Sequence, residues 1–77
     1  MSLPWEVERA GLAVRRVAHV PSPKCPQRYV EITRSDKTGL YRVRVYRKPG
    51  ELPLVANART TLELAIEWAE ERYGKKG

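Results

Sequence analysis

Apolar and polar residues alternate along two neighbouring segments in the middle of the chain. The first, residues 28–34, reads Arg-Tyr-Val-Glu-Ile-Thr-Arg, and the second, residues 40–47, reads Leu-Tyr-Arg-Val-Arg-Val-Tyr-Arg. Period-two alternation is typical of strands with one buried face. Between them, residues 36–39 suit a four-residue loop that Gly39 can close in the left-handed conformation. The pattern therefore predicts a β-hairpin.

The predicted hairpin has one apolar face and one polar face. A four-residue loop sets Tyr29 opposite Tyr46 and Glu31 opposite Arg44, and pairs of these kinds each stabilise a sheet by ~0.2–1 kcal/mol. The outer face would carry Tyr29, Glu31, Thr33, Arg42, Arg44 and Tyr46. The inner face would carry Val30, Ile32, Tyr41, Val43 and Val45.

The end of the chain has the period of a helix. Thr60 and Glu63 match a capping box, and Gly74 is a typical residue to follow the last turn. We therefore predict a helix over residues 60–73, packed on the inner face of the hairpin and followed by a basic tail over residues 74–77. Its apolar stripe would consist of Leu62, Ala65, Ile66, Ala69 and Tyr73.

Two further apolar residues, Leu64 and Trp68, flank this stripe. They widen the apolar face of the helix beyond what one small sheet needs to cover. Two interpretations stay open: contact with the N-terminal segment around Trp5, or a protein interface, such as that of a homodimer. For Trp5 itself we favour closure of one end of the core over partner binding.

The N-terminal residues carry helix signals. Ser2 suits a cap, Pro4 a first turn and Gly11 an end, so residues 2–10 are predicted to form a short helix or arm. The following segment, residues 12–20, is rich in valine and predicts a strand. Its alternation breaks at Arg15 and Arg16, which indicates either a β-bulge or a one-turn helical continuation.

Prolines delimit the remaining segments. Residues 21–26 contain three prolines and are predicted to be a loop. Residues 51–57 form a further predicted strand, and Pro53, which has no N–H to donate, confines it to a sheet edge or to pairing beyond Pro53. Leu54 and Ala56 would share its inner face.

The pattern as a whole predicts one small α+β domain over residues 1–77, with strands within residues 12–57. Its sheet would have three to four mostly antiparallel strands, packed on one C-terminal α-helix. The order over residues 28–73 resembles the layout of the arm-binding domain of tyrosine integrases and of plant ethylene-response DNA-binding domains. It is also similar in order to the double-stranded-RNA-binding domain, although Thr60 and Thr61 replace the lysine pair of that domain.

Composition adds a class of partner to this prediction. The 77 residues include 15 lysines and arginines against 9 acidic residues, for a net charge of +6. Residues 60–73 carry four glutamates and one arginine, whereas residues 1–59 carry twelve basic and five acidic side chains. Because the positive charge falls on the strands, a polyanion is the expected partner.

We therefore predict a nucleic-acid-binding protein, for DNA in preference to RNA and with little sequence specificity, that uses the open sheet face. Arginines would contact phosphates, and the tyrosine rings would lie against bases or sugars. The alternative is a protein-interaction or regulatory module, such as a homodimer formed through Leu64 and Trp68. The predicted nucleic-acid-binding residues are Arg15, Arg16, Tyr29, Arg34, Lys37, Arg42, Arg44, Tyr46, Arg47 and Lys48.

Catalytic and ligand motifs are missing from the sequence. Cys25 and His19 are each the only residue of their type, so neither an intrachain disulfide nor a thiolate zinc site is expected. We expect no enzyme activity, metal, cofactor, small-molecule substrate or membrane partner, and a cytoplasmic location. Asn, Gln, Cys and Met occur once each, which suits either a thermophilic source or a GC-rich genome.

Overall fold

A computed structural model of the protein describes residues 3–11 and 13–74. The predicted cap Ser2, the first predicted strand residue Leu12 and residues 75–77 of the predicted tail lie outside this part. Six elements follow one another: β1 (Glu6–Ala10), β2 (Ala13–His19), β3 (Tyr29–Arg34), β4 (Tyr41–Tyr46), β5 (Val55–Arg59) and α1 (Leu62–Tyr73).

The central hairpin forms in the predicted register. Tyr29 lies opposite Tyr46 and Glu31 opposite Arg44 across β3 and β4. The loop is closed by the N–H of Ser35, which donates to the carbonyl of Leu40 at 2.8 Å, and Gly39 has a φ of 73°. The local sequence was sufficient here because alternation and loop length fix the same register.

The five strands form one antiparallel sheet in the order β1-β2-β3-β4-β5, and α1 packs on one of its faces. The predicted α+β class is confirmed, but three to four strands is an underestimate. Val30, Ile32, Val43 and Val45 are at most 1% exposed on the face that carries α1. We call this the helix face and the opposite one the open face.

The additional strand is β1, which corrects the prediction of a helix or arm over residues 2–10. Glu6, Val7 and Glu8 pair antiparallel with Val17, Arg16 and Arg15 of β2. Gly11 does not end a helix. With a φ of 65° it lies in the turn between the two strands. A segment this short has little helical stability of its own, so pairing with β2 decides its conformation.

Strand β2 runs without the predicted bulge. Its residues pair continuously with β1 and with β3, so Arg15 and Arg16 point to opposite faces. Val14 and Val17 therefore do not share a face. Val17 lies on the open face and is still only 4% exposed, so the bulge that would have brought both halves of the segment to one face is not needed to bury it.

Strand β5 begins at Val55, two residues after Pro53, and lies at the sheet edge, as Pro53 predicts. Its faces are the reverse of the prediction. Ala56 pairs with Arg44 and so lies on the open face, while Leu54 precedes the strand and is 57% exposed. The prediction assigned the inner face from the apolar side chain of Leu54, which lies before the strand and is exposed.

Helix α1 begins at Leu62 rather than at residue 60, and its cap lies one residue later than predicted. Thr61, rather than Thr60, is the cap, and its hydroxyl accepts from the N–H of Leu64 at 3.2 Å. Glu63 consequently falls one position short of a capping box. Gly74 caps the other end as predicted, and its N–H donates to the carbonyl of Glu70 at 2.8 Å.

The helix seats Trp68 in the core rather than on the surface. Trp68 is 9% exposed and belongs to the same apolar cluster as Leu3, against which Trp5 also packs. The Trp5 indole N–H and the Leu3 backbone N–H both donate to one carboxylate oxygen of Glu70. Contact with the N-terminal segment is thus the interpretation of the wide helix face that the structure supports.

Candidate nucleic-acid interface

The open face is built from the alternate residues of the five strands that point away from α1, and β1 contributes Glu6 and Glu8 to it. The strand register places cationic, aromatic and small side chains in adjacent rows, because each strand contributes every second residue. From β2 to β5, these residues are Arg15, Val17 and His19, then Tyr29, Glu31 and Thr33, then Arg42, Arg44 and Tyr46, and last Ala56 and Ala58.

Glu31 is the centre of the polar network on this face. Its carboxylate accepts from Nε of Arg15 on one side and from the Tyr46 hydroxyl at 3.4 Å on the other. A second guanidinium nitrogen of Arg15 donates to Glu8 at 2.7 Å. Desolvation by burial acts against the protonated form of Arg15, but hydrogen bonding and charge from Glu31, followed by Glu8, raise its pKa. Arg15 is thus hydrogen-bonded to two carboxylates.

This network leaves the arginines of β4 unpaired. Arg44 lies opposite Glu31 in the register, yet the carboxylate turns to Arg15 instead. Among residues 3–11 and 13–74, neither Arg42 nor Arg44 forms an ion pair or a side-chain hydrogen bond. Arg42 is exposed and Arg44 half-buried, so two uncompensated guanidinium groups remain on the open face.

An aromatic row crosses the other end of the open face. The rings of Tyr29 and Tyr46 stack with centroids 4.9 Å apart, and His19 lies 6.2 Å from Tyr29. Tyr29 is 9% exposed and thus unavailable as a stacking surface. Burial first, and then the charge of Glu31, raises its pKa. Tyr46, which is half-buried, is the ring of this pair that a ligand could reach.

Beside the β4 arginines, β5 contributes an exposed surface of small side chains, which we call the alanine floor. Its two residues on this face, Ala56 and Ala58, are exposed and carry only a methyl group each. Ala56 lies opposite Arg44 and Ala58 opposite Arg42. This surface was not predicted from the sequence, because Ala56 was expected on the inner face. The sequence signal for this surface is the alternation of Ala56 and Ala58 in a strand that begins at Val55.

The remaining predicted binding residues lie elsewhere. Arg16 and Arg34 belong to the helix face, and exposed Lys37 lies in the loop between β3 and β4. Arg47 makes two hydrogen bonds to Glu51, of 2.6 and 2.9 Å, and Lys48 approaches the same carboxylate at 3.7 Å. The Arg47 hydrogen bond lowers the pKa of Glu51. The structure thus brings five of the ten predicted residues together on the open face. Of these, Arg15 is bound by two carboxylates and Tyr29 is buried, whereas Arg42, Arg44 and Tyr46 are at least partly exposed.

The two residues of the predicted protein interface, Leu64 and Trp68, differ in their exposure. Leu64 is 42% exposed, whereas Trp68 is buried, with the guanidinium of Arg72 lying 4.9 Å from the centre of its ring. In the part of the chain that the structure describes, no three potential metal ligands cluster. No described helix is long and apolar enough to cross a membrane.

No protein-family model, no curated protein and no solved structure matches this chain. Its candidate site therefore has to be interpreted from its own geometry.

Proposed function

We propose that the protein binds nucleic acid through its open face, DNA in preference to RNA and without strong sequence specificity. The observation that carries the proposal is the pair Arg42 and Arg44, two adjacent outward guanidinium groups whose nearest candidate carboxylate is taken by Arg15. Guanidinium groups bind phosphate oxygens through paired hydrogen bonds, so an unpaired row of them suits a phosphate backbone.

The surroundings of the arginine pair favour a nucleic acid over a small anion. Tyr46 ends the row on β4, and the alanine floor of β5 leaves room beside it for a sugar or base. The row of β4 side chains can enter the wide major groove of B-DNA, whereas the major groove of A-form RNA is deep and narrow. With only a few side chains in reach of base edges, most contacts fall on the backbone, which gives little sequence specificity.

The decisive test replaces Arg42 and Arg44 together with serine and measures binding to a short DNA duplex by fluorescence anisotropy. A matched control replaces Arg47 and Lys48 with serine, which removes the same charge from side chains that Glu51 already holds. We expect both variants to retain their fold, as checked by circular dichroism, because none of the four side chains is buried.

We expect the Arg42/Arg44 variant to lose most of its affinity at low salt. The slope of log affinity against log salt should become shallower by about 2, since two phosphate contacts disappear. The Arg47/Lys48 control should change the slope by less than about 1. Equal losses in the two variants would show that net charge, and not the open face, governs binding. Unchanged binding in the Arg42/Arg44 variant would also exclude this face as the site.

A further inference from the structure

A second cationic site lies on the other side of the sheet. Among the described residues, α1 packs on β3, β4 and β5. In this part of the chain, no Cα atom of β1 or β2 lies within 8 Å of a Cα atom of α1, although Ala18 of β2 is buried in the same core. The uncovered half of the helix face forms a cleft beside the start of α1. Its principal lining residues are Arg9, Val14, Arg16, Arg34, Tyr41 and Leu62.

The strand register explains why three arginines meet in this cleft. Arg9 lies opposite Val14 across β1 and β2, and Arg16 is two residues further along β2 on the same face. Arg34 enters the face from the end of β3, where it lies opposite Tyr41. Arg9, Arg16 and Arg34 therefore line one cleft together with Val14, and Tyr41 and Leu62 form its apolar wall.

Of the three arginines, only Arg34 has an acidic partner among the described residues. Glu8 lines the cleft but is hydrogen-bonded to Arg15. Asp36 is fully exposed and reaches Arg34 only at 4.0 Å. Arg16 is half-buried and forms no ion pair with any residue that the structure describes. A partly desolvated arginine without a counter-charge is costly, and an anion in the cleft would remove that cost.

We propose that this cleft binds a phosphate-bearing ligand. The arginines would hold the phosphate oxygens, because the planar guanidinium presents paired N–H donors that match them. The apolar floor and wall, formed by Val14, Leu62 and Tyr41, would contact the uncharged group to which the phosphate is attached. The site is separate from the Arg42 and Arg44 row, which lies on the opposite face of the sheet.

Two sources supply this chemistry: a free nucleotide, or the phosphate backbone of a nucleic acid that reaches around the end of the sheet. To distinguish them, the isotope-labelled full chain is titrated with adenosine 5′-diphosphate and, in parallel, with a short single-stranded oligonucleotide. Amide chemical shifts are followed by NMR. One variant replaces Arg16 and Arg34 with glutamine, and a matched control replaces Arg47 and Lys48, which pair with Glu51 outside both proposed sites, with glutamine.

The expected result is a saturable shift of amides in residues 14–16 and 32–34, at least about tenfold weaker in the Arg16/Arg34 variant and unchanged in the control. A response to the nucleotide assigns the cleft to a free ligand, and a response to the oligonucleotide alone assigns it to a backbone. The proposal is overturned if neither ligand shifts these amides, or if both variants respond alike. An equal weakening in the Arg47/Lys48 control would show that net charge, and not the cleft, governs the response, and would overturn the proposal.

Discussion

At the scale of single residues, Glu31 determines which arginines of the open face are available. The hairpin register places it opposite Arg44, and an opposite pair of this kind is a normal source of sheet stability. The carboxylate is instead bound by Arg15, from the strand on its other side. Sequence alone could not choose between the two arginines, because both are register neighbours of β3 and the choice depends on side-chain conformation.

Neutralising Glu31 is therefore expected to strengthen nucleic-acid binding. In the Glu31→Gln variant, Arg15 loses its main counter-charge and the open face gains one net positive charge. We expect an affinity increase of about fivefold at low salt and a salt slope steeper by about 1, measured by anisotropy titration. Glu67→Gln changes the same net charge on the exposed side of α1 and should alter affinity by less than about twofold. An equal gain in both variants would argue against a localised site.

Tyr29 gives a test by pH. Burial raises its pKa above the ordinary value of 10.0, so the folded state favours the protonated phenol. Its contribution to stability is therefore complete below pH about 10 and is lost as the pH rises through the folded pKa. In Tyr29→Phe, the free energy of unfolding should fall less steeply above pH about 10 than in the unaltered protein. The free energy of unfolding of both proteins is measured by urea unfolding at several pH values. The same dependence on pH in the two proteins would contradict this prediction.

At the scale of elements, local patterns predicted those structures whose signals agree with one another. The β3–β4 hairpin has alternation, a loop glycine and matching pair chemistry, and its register is as predicted. Residues 6–10 carried conflicting signals, since Pro4 and Gly11 suggested a helix while Glu6, Val7 and Glu8 alternate. Pairing with β2 settled the conflict, and such tertiary contacts cannot be derived from a five-residue segment.

The position of the helix cap can be tested by two neighbouring substitutions. Thr61→Ala removes the side-chain acceptor for the N–H of Leu64 and should lower the free energy of unfolding by about 1 kcal/mol. Thr60→Ala, at the cap that the sequence indicated, should cost less than about 0.5 kcal/mol. Urea unfolding of the two variants measures the difference, and the reverse order would place the cap at Thr60.

The two flanking apolar residues of α1 should behave differently. Trp68→Ala leaves a cavity between the helix and the sheet and should lower the free energy of unfolding by about 3 kcal/mol or more. Leu64→Ala, at an exposed position, should cost less than about 1 kcal/mol. Denaturant unfolding combined with light scattering measures stability and oligomeric state together. A stable Trp68→Ala protein with a changed oligomeric state would favour the interface interpretation.

At the scale of the whole molecule, positive charge is distributed over both faces of the sheet. The distribution of charge along the sequence predicted a basic sheet and a helix with an acidic outer surface, because most basic residues fall in the strands and four glutamates fall in the helix. It could not predict that Arg16 and Arg34 would lie on the helix face while Arg42 and Arg44 lie on the open face. Arg16 lies on the helix face because β2 continues without a bulge. The sequence suggested a bulge there, since Arg15 and Arg16 interrupt the apolar alternation. The predicted single site consequently separates into an open face and a cleft.

The central claim, that the open face binds a phosphate backbone, is tested most directly by the salt dependence of duplex DNA binding to the unaltered protein. Three cations of the open face and its adjoining loop, Arg42, Arg44 and Lys37, form no ion pair among the described residues. If each neutralises one phosphate, log affinity should fall linearly with log salt concentration with a slope of about −3. Absence of binding at low salt, or binding with no dependence on salt, would contradict the claim.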